Sequence, residues 1–219
     1  MSAMQVTSIV EDPELVQRRR KEIVAAATEL FSKQGFDRTT IKEIASLAGI
    51  SSGLVYQYVR EKDDVLLLVI LDVVDAYARE IPRALAGLDD PVDRLVATVG
   101  AYCRVVDKRR AATVLAYRST KSLSRDRRRL IQERELETNA MISAAIADCI
   151  RSRLLRKINV DVLTYQIVLI AHGWALKSWY LKSRLSIDQY IRDSLDILLG
   201  AILTTAGQKR YAARRGRRK

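Results

Sequence analysis

Few side chains in this sequence are placed for covalent chemistry. The single histidine, His172, stands in an apolar stretch, and one imidazole cannot build a metal cluster. Cys103 and Cys149 lie far apart, without metal or redox spacing, and read as small core residues. Glu133 and Glu137 are four apart on one helix face, a spacing open to paired carboxylates. No histidine at ligand spacing accompanies them, so surface charge or an ion pair is the better reading. No glycine-rich phosphate loop, nucleophile elbow or catalytic Cys/His pair is present. The sequence therefore points away from an enzyme and calls for no metal or cofactor. What remains is recognition by hydrogen bond and charge, concentrated in residues 39–66, TTIKEIASLAGISSGLVYQYVREKDDVL.

Within that run Ile41, Ala45, Gly49 and Val55 stand at positions one, five, nine and fifteen, the spacing of a helix-turn-helix. Each residue type has a cause. Two closely crossing helices need a small residue where they touch, which Ala45 provides. A three-residue turn needs a left-handed backbone, which Gly49 adopts without steric cost. Ile44, Ile50 and Val55 fill the wedge, leaving the second helix held out to enter a major groove.

The elements that position this motif are helical. Ile23, Ala27, Leu30 and Phe31 recur at three- and four-residue steps and end at Gly35. Thr40 with Glu43 forms a capping box for the next helix. A short helix follows from Ser51 or Ser52 to Val59, and Lys62-Asp63-Asp64 opens a fourth that reaches about Ile81 before Pro82. Further helices are expected at 91–107, 110–118, 124–153, 159–183 and 187–205, with Pro91 in a first turn and Ser124 and Asn159 as N-caps. The expected fold is all-α with about nine helices. A flexible arm covers 1–13, a three-helix DNA-binding domain 14–64, a second helical domain 65–207, and a basic tail 208–219. Of 219 residues 48% are apolar and 29% charged, with 9 glycines and 3 prolines, which excludes a disordered chain and disfavours an all-β one. No secretory segment and no long uncharged apolar run occurs, so the protein is expected to be cytoplasmic, with no membrane partner.

The run from Arg20 to Leu66 resembles the tetracycline-repressor (TetR) family of bacterial transcription regulators. The resemblance rests on Phe31 and Gly35 closing a long first helix, then TT, IA, AGIS, G, VYQY and Lys62 before an acidic helix start. Val59 departs from the family's usual phenylalanine, and Glu61 from its usual Ser or Asn cap. The resemblance implies a ligand-responsive regulator, a repressor in the first instance, acting as a homodimer on a palindromic double-stranded DNA operator, with residues 65–207 as its effector-binding and dimerisation domain. It also implies a set of contacts that the side-chain chemistry allows. Thr40 offers a hydroxyl and a backbone N–H to a phosphate, and Tyr58 and Lys62 look like phosphate clamps. Ser51, Ser52 and Gly53 lie at the recognition helix's N-terminus, where base edges are met. Tyr56 suits a thymine methyl or a phosphate, and Gln57 is able to read adenine. Lys42 reaches a base or a phosphate, unless it, like Gln57, is simply solvated. The alternative is an architectural nucleic-acid binder without a ligand.

The net charge of +12 is uneven: residues 208–219 carry seven basic side chains and no acid. That tail suits a sequence-independent DNA grip, a membrane-surface contact or mere solubility. Arg18-Arg19-Arg20-Lys21 likewise suits either phosphate contact or a solvated face. The segment 160–171 is apolar on nearly every face. It must be covered on two sides, which places a dimer interface on the last two helices, with Tyr190, Leu195, Leu198, Leu199 and Ile202. Residues 117–138 and 172–183 resemble the regulatory domain of a TetR subgroup that answers fatty acids and acyl-coenzyme A. That resemblance makes Tyr117, Arg118, Arg125, Arg128, Glu137 and Trp174 candidate effector contacts. Arg125, Arg127, Arg128 and Arg129 crowd a helix start that suits an anionic head group, or a solvated DNA-steering face.

Overall fold

The computed structural model describes residues 6–216, and these form eleven α-helices and one short 3-10 turn. In chain order they are α1 (Pro13–Gln34), α2 (Ile41–Leu47), α3 (Ser52–Tyr58), α4 (Lys62–Leu85), α5 (Pro91–Lys108) and α6 (Arg110–Ser119). After the 3-10 turn Thr120–Ser122 come α7 (Arg125–Arg151), α8 (Val160–Leu176), α9 (Ser178–Leu181), α10 (Ile187–Ile202) and α11 (Thr205–Gly216).

Local chemistry sets the helix starts. Asp12 caps α1 by accepting from the N–H groups of Glu14 and Leu15, with Pro13 behind it. Thr40 and Glu43 form the expected capping box on α2, and Ser186 and Gln189 form another on α10. Asn159 caps α8 through the N–H of Val162. Pro82 does not end α4, which runs on to Leu85; so near a helix end the missing N–H costs one bond only. The stretch 159–183 is two helices, because the backbone leaves helical geometry at Lys177.

The described helices group into two compact units. The first takes the chain up to Val74 together with Arg109–Arg134, and the second takes Asp75–Lys108 together with Glu135 onward. In the first unit α1 packs on α2, α3 and α6 around Ile23, Ala27, Phe31, Ile44, Val55 and Leu66, all buried. Arg109 on the approach to α6 pairs with Asp72 of α4 at 2.8 Å. In the second unit α5 is the central element, packed by α8, α10 and α11. Its core holds Leu95, Cys103, Ile142, Ile146, Ile167, Trp174 and Leu199.

The two ends of the described chain are built into the fold. Residues 208–216 of the basic tail are helical and make up most of α11. Gly207 lets that helix approach closely: a Cβ there would stand 2.2 Å from the carbonyl oxygen of Leu154. Arg210 pairs with Asp90 and Arg214 with Asp93 at the start of α5, so two of the basic side chains are already neutralised within this unit. Residues 217–219 of that tail, and 1–5 of the arm, lie outside the described residues. The rest of the arm is tied down: Ser8 Oγ and the Ile9 N–H both donate to the carbonyl of Gln57 at 2.9 Å.

Candidate DNA-binding interface

The α2–turn–α3 unit is built as its residue spacing demands. Ala45, Ile44 and Val55 are all but inaccessible in the wedge, and Ile50 is half-buried there. Gly49 has φ +70°, a backbone that other residues reach only at a cost. The turn closes through Gly49 N–H to Ser46 O and Ile50 N–H to Ala45 O. With one face of each helix committed to this wedge, the opposite face is left to solvent. Lys42, Ser51, Gly53, Tyr56 and Gln57 are exposed there, and Ser52 is half-buried. Ser51 is the N-cap of α3: its oxygen accepts from the Leu54 N–H at 3.1 Å, which leaves the hydroxyl proton for another acceptor.

Three of the expected contacts are placed otherwise. Tyr58 does not show its hydroxyl on the open side of α3; the residue is 2% exposed and packs in the core. Lys62 is not a free point charge. Its ammonium donates to the carbonyls of Phe36 (2.9 Å), Asp37 (3.1 Å) and Thr39 (3.0 Å) and lies 4.5 Å from the Phe36 ring centroid. Three donors meet three acceptors, so Lys62 ties the α1–α2 loop to the start of α4. Thr40 is exposed, but its N–H and hydroxyl are both given to Glu43 Oε2, at 2.7 and 2.8 Å. Those bonds, and one from Gln34, hold the Glu43 carboxyl below its usual range. A phosphate at Thr40 has to displace this carboxylate.

The start of the fourth helix is held by contacts of its acidic side chains. The Arg60 N–H donates to Asp64 Oδ2 at 3.0 Å, and Arg127 of α7 binds Glu61, Asp63 and Asp64 at 2.6, 3.4 and 2.5 Å. No pattern in the sequence marks Arg127 for this role rather than its three arginine neighbours. Nor does any pattern mark Arg20, whose guanidinium donates to the carbonyl of Tyr58 at the end of α3.

Two family models match the sequence. Residues 23–69 match the bacterial regulatory proteins of the tetR family, and residues 88–202, more than half the chain, match the tetracyclin repressor-like C-terminal domain. The chain belongs to the TetR family. It is 50% identical over 211 residues to the HTH-type transcriptional regulator HbdR of Aromatoleum sp. (strain CIB), covering 96% of this chain and 92% of HbdR. It is 26% identical over 202 residues to the transcriptional repressor KstR2 of Mycolicibacterium smegmatis, covering 91% and 98%. Among solved structures, the ketosteroid regulator KstR2 of Mycobacterium tuberculosis superposes with a TM-score of 0.71 at 23% identity over 91% of this chain and all of that one. AibR, solved with isovaleryl coenzyme A and operator DNA, gives 0.71 at 17% identity over 83% and 98%. This TetR protein is thus a DNA-binding transcriptional regulator with an N-terminal helix-turn-helix and a C-terminal helical domain.

The expected effector contacts of this TetR protein are distributed between its two units. Tyr117, Arg118, Arg125 and Arg128 fall in the first, Glu137 and Trp174 in the second. Trp174 is a core residue, 1% exposed, with its indole N–H on Asp107 at 2.8 Å. The arginine cluster is largely spent on the protein itself: Arg127 on three carboxylates, Arg129 on Glu133, and Arg128 on the carbonyl of Lys121. Arg125 is exposed, as are Tyr117, Arg118 and Glu137. In the second unit the stacked rings of Tyr77 and Tyr102, centroids 3.9 Å apart, bring both hydroxyls to 3.4 Å from His172 Nε2. Burial lowers the His172 pKa to about 4, so this imidazole is neutral at ordinary pH.

Proposed function

We propose that this protein is a repressor that binds a palindromic operator as a homodimer in the cytoplasm, without enzymatic activity, and is released by a small acyl-type effector with an anionic head. The observation that carries the DNA reading is the exposed polar ridge on a rigid wedge. Lys42, Ser51, Ser52, Gly53, Tyr56 and Gln57 stand open while the residues behind them are buried. Thr40 joins them if a phosphate replaces the Glu43 carboxylate. The repressor reading is supported by the KstR2 relatives, which are repressors. The acyl-coenzyme-A reading is supported by AibR, which shares the fold and binds isovaleryl coenzyme A. The exposed Tyr117, Arg118 and Arg125, with the half-buried Arg128, are the contacts we assign to the anionic head.

The dimer reading rests on an uncovered apolar face. On α8, Leu163, Ile167 and Val168 are buried, whereas Val162, Tyr165 and Leu169 are 59, 50 and 55% exposed. On α10, Leu195 and Leu199 belong to the protomer's own core, and Ile197 stands 78% exposed. A helix apolar all round, with one side open, calls for a second copy.

Footprinting on promoter DNA tests the first part: one protected palindrome is the expected result, and uniform coating favours an architectural binder. Titration of acyl-coenzyme-A esters and free acids into the operator complex tests the second. Release at some chain length is expected, and no release at any length removes the effector proposal.

A further inference from the structure

We infer that residues 6–10 of the arm, together with Arg20, form a latch that holds the recognition helix α3 in place and so sets operator affinity and specificity without touching DNA.

α3 has seven residues, fewer than an isolated helix needs to persist in water. Its N-terminal end is capped by Ser51, and one C-terminal bond, Val59 N–H to Val55 O, closes its last turn. The following carbonyls, those of Gln57 and Tyr58, have no partner inside the helix, as at any helix C-terminus. The arm and α1 supply the donors. Ser8 Oγ and the Ile9 N–H reach Gln57 O, each at 2.9 Å. Arg20 Nε and Nη2 reach Tyr58 O at 3.2 and 3.0 Å.

The latch is closed on itself. Arg20 Nη2 also donates to Val6 O at 2.6 Å, so one guanidinium holds the arm and the helix end together. Ser8 accepts from the Val10 N–H at 3.1 Å, which fixes the local turn that aims its hydroxyl at Gln57. A cation at a helix C-terminus also complements the helix dipole. The residues whose carbonyls are held, Gln57 and Tyr58, directly follow the exposed Tyr56 of the DNA-facing ridge. Loss of the latch therefore frees the very turn that carries two of the proposed base-reading side chains. Arg20 is a positioning residue, and the cluster Arg18–Lys21 is divided by it: Arg20 turns inward, whereas Arg18 and Lys21 are exposed.

The test compares the parent protein with a deletion of residues 1–10 and with the milder Ser8→Ala and Arg20→Lys. Amide exchange over 54–59, measured without DNA, is expected to rise in the deletion while protection of α5 and α8 is kept. This readout stands whatever the operator proves to be. On DNA the deletion is expected to weaken operator binding about tenfold, the worth of one or two such bonds. Non-specific binding and the salt slope are expected to stay unchanged, because no phosphate contact is lost. Arg20→Lys, which keeps the charge but not the fork, is expected to fall between the deletion and the parent. Unchanged exchange over 54–59 overturns the proposal. So does a loss of affinity that brings a lower salt slope, since the arm then contacts the backbone of DNA directly.

Discussion

Replacing Lys62 by methionine separates two roles that look alike in sequence. The substitution keeps the aliphatic stem and removes the ammonium, leaving the carbonyls of Phe36, Asp37 and Thr39 without their donor and the Phe36 ring without its cation. Two of those bonds are partly buried and one is exposed, so water replaces them unequally. Hydrogen bonds from a charged group contribute roughly 1.5–3 kcal/mol each when shielded and much less when exposed. A combined loss of about 3 kcal/mol is expected, which for a chain of this size lowers the melting midpoint by roughly 6–12 °C. Operator binding is expected to weaken as well, because the loop that ends at Thr40 presents the start of α2. The salt dependence discriminates. A lysine that neutralises one phosphate contributes about 0.9 to the slope of log K against log salt. With Lys62 acting through the loop, the slope stays that of the parent while the midpoint falls. An unchanged midpoint with a slope reduced by about 0.9 refutes this reasoning and returns Lys62 to the DNA backbone.

Ile197→Arg puts a charge on the face assigned to the dimer; because a two-fold axis presents it twice, the loss of about 1.5–3 kcal/mol per buried isoleucine raises the dimer Kd by roughly 10²–10⁴-fold, read by analytical ultracentrifugation. His172, with its folded pKa lowered to about 4, favours the neutral form, so the native state binds fewer protons than the unfolded chain as pH falls below 6.5. Its contribution is present above that pH and declines toward 4, costing about 2 kcal/mol by pH 5. Denaturant titrations at pH 7 and 5 are expected to show this loss and His172→Gln to abolish it. Burial pushes the Cys103 and Cys149 thiols up to about 12, and Cys149 donates to Pro91 O, so neither is expected to react with iodoacetamide until the protein is denatured. Mass spectrometry of the folded protein at neutral pH checks it.

How much of this was legible depended on where each partner sits along the chain. The spacing Ile41, Ala45, Gly49, Val55 settles the helix-turn-helix by itself, since a small contact residue, a left-handed turn and a wedge are demands on residue type. The Thr40–Glu43 capping box and the two-sided apolar character of α8 are local or periodic, and are equally plain in one dimension. Tertiary structure alone decided which face of α8 and α10 belongs to the protomer: of the expected seam Tyr190, Leu195, Leu198, Leu199 and Ile202, Leu195 and Leu199 are core and the other three half-buried, while Ile197 stands exposed. It also decided that Tyr58 is buried and that Lys62 and Arg20 face inward, because their acceptors are backbone carbonyls. Every residue carries a carbonyl, so no side-chain pattern announces which ones a lysine 23 residues away, or an arginine 38 away, will find. The same holds for the basic C-terminal segment. Its composition suggests a free polycation, yet its helix is fixed by Asp90, 120 residues earlier, and by the absence of a side chain at Gly207. Residue type and period specify what a segment is able to do. Contacts between residues far apart in the chain specify which of those capacities is already used within the fold.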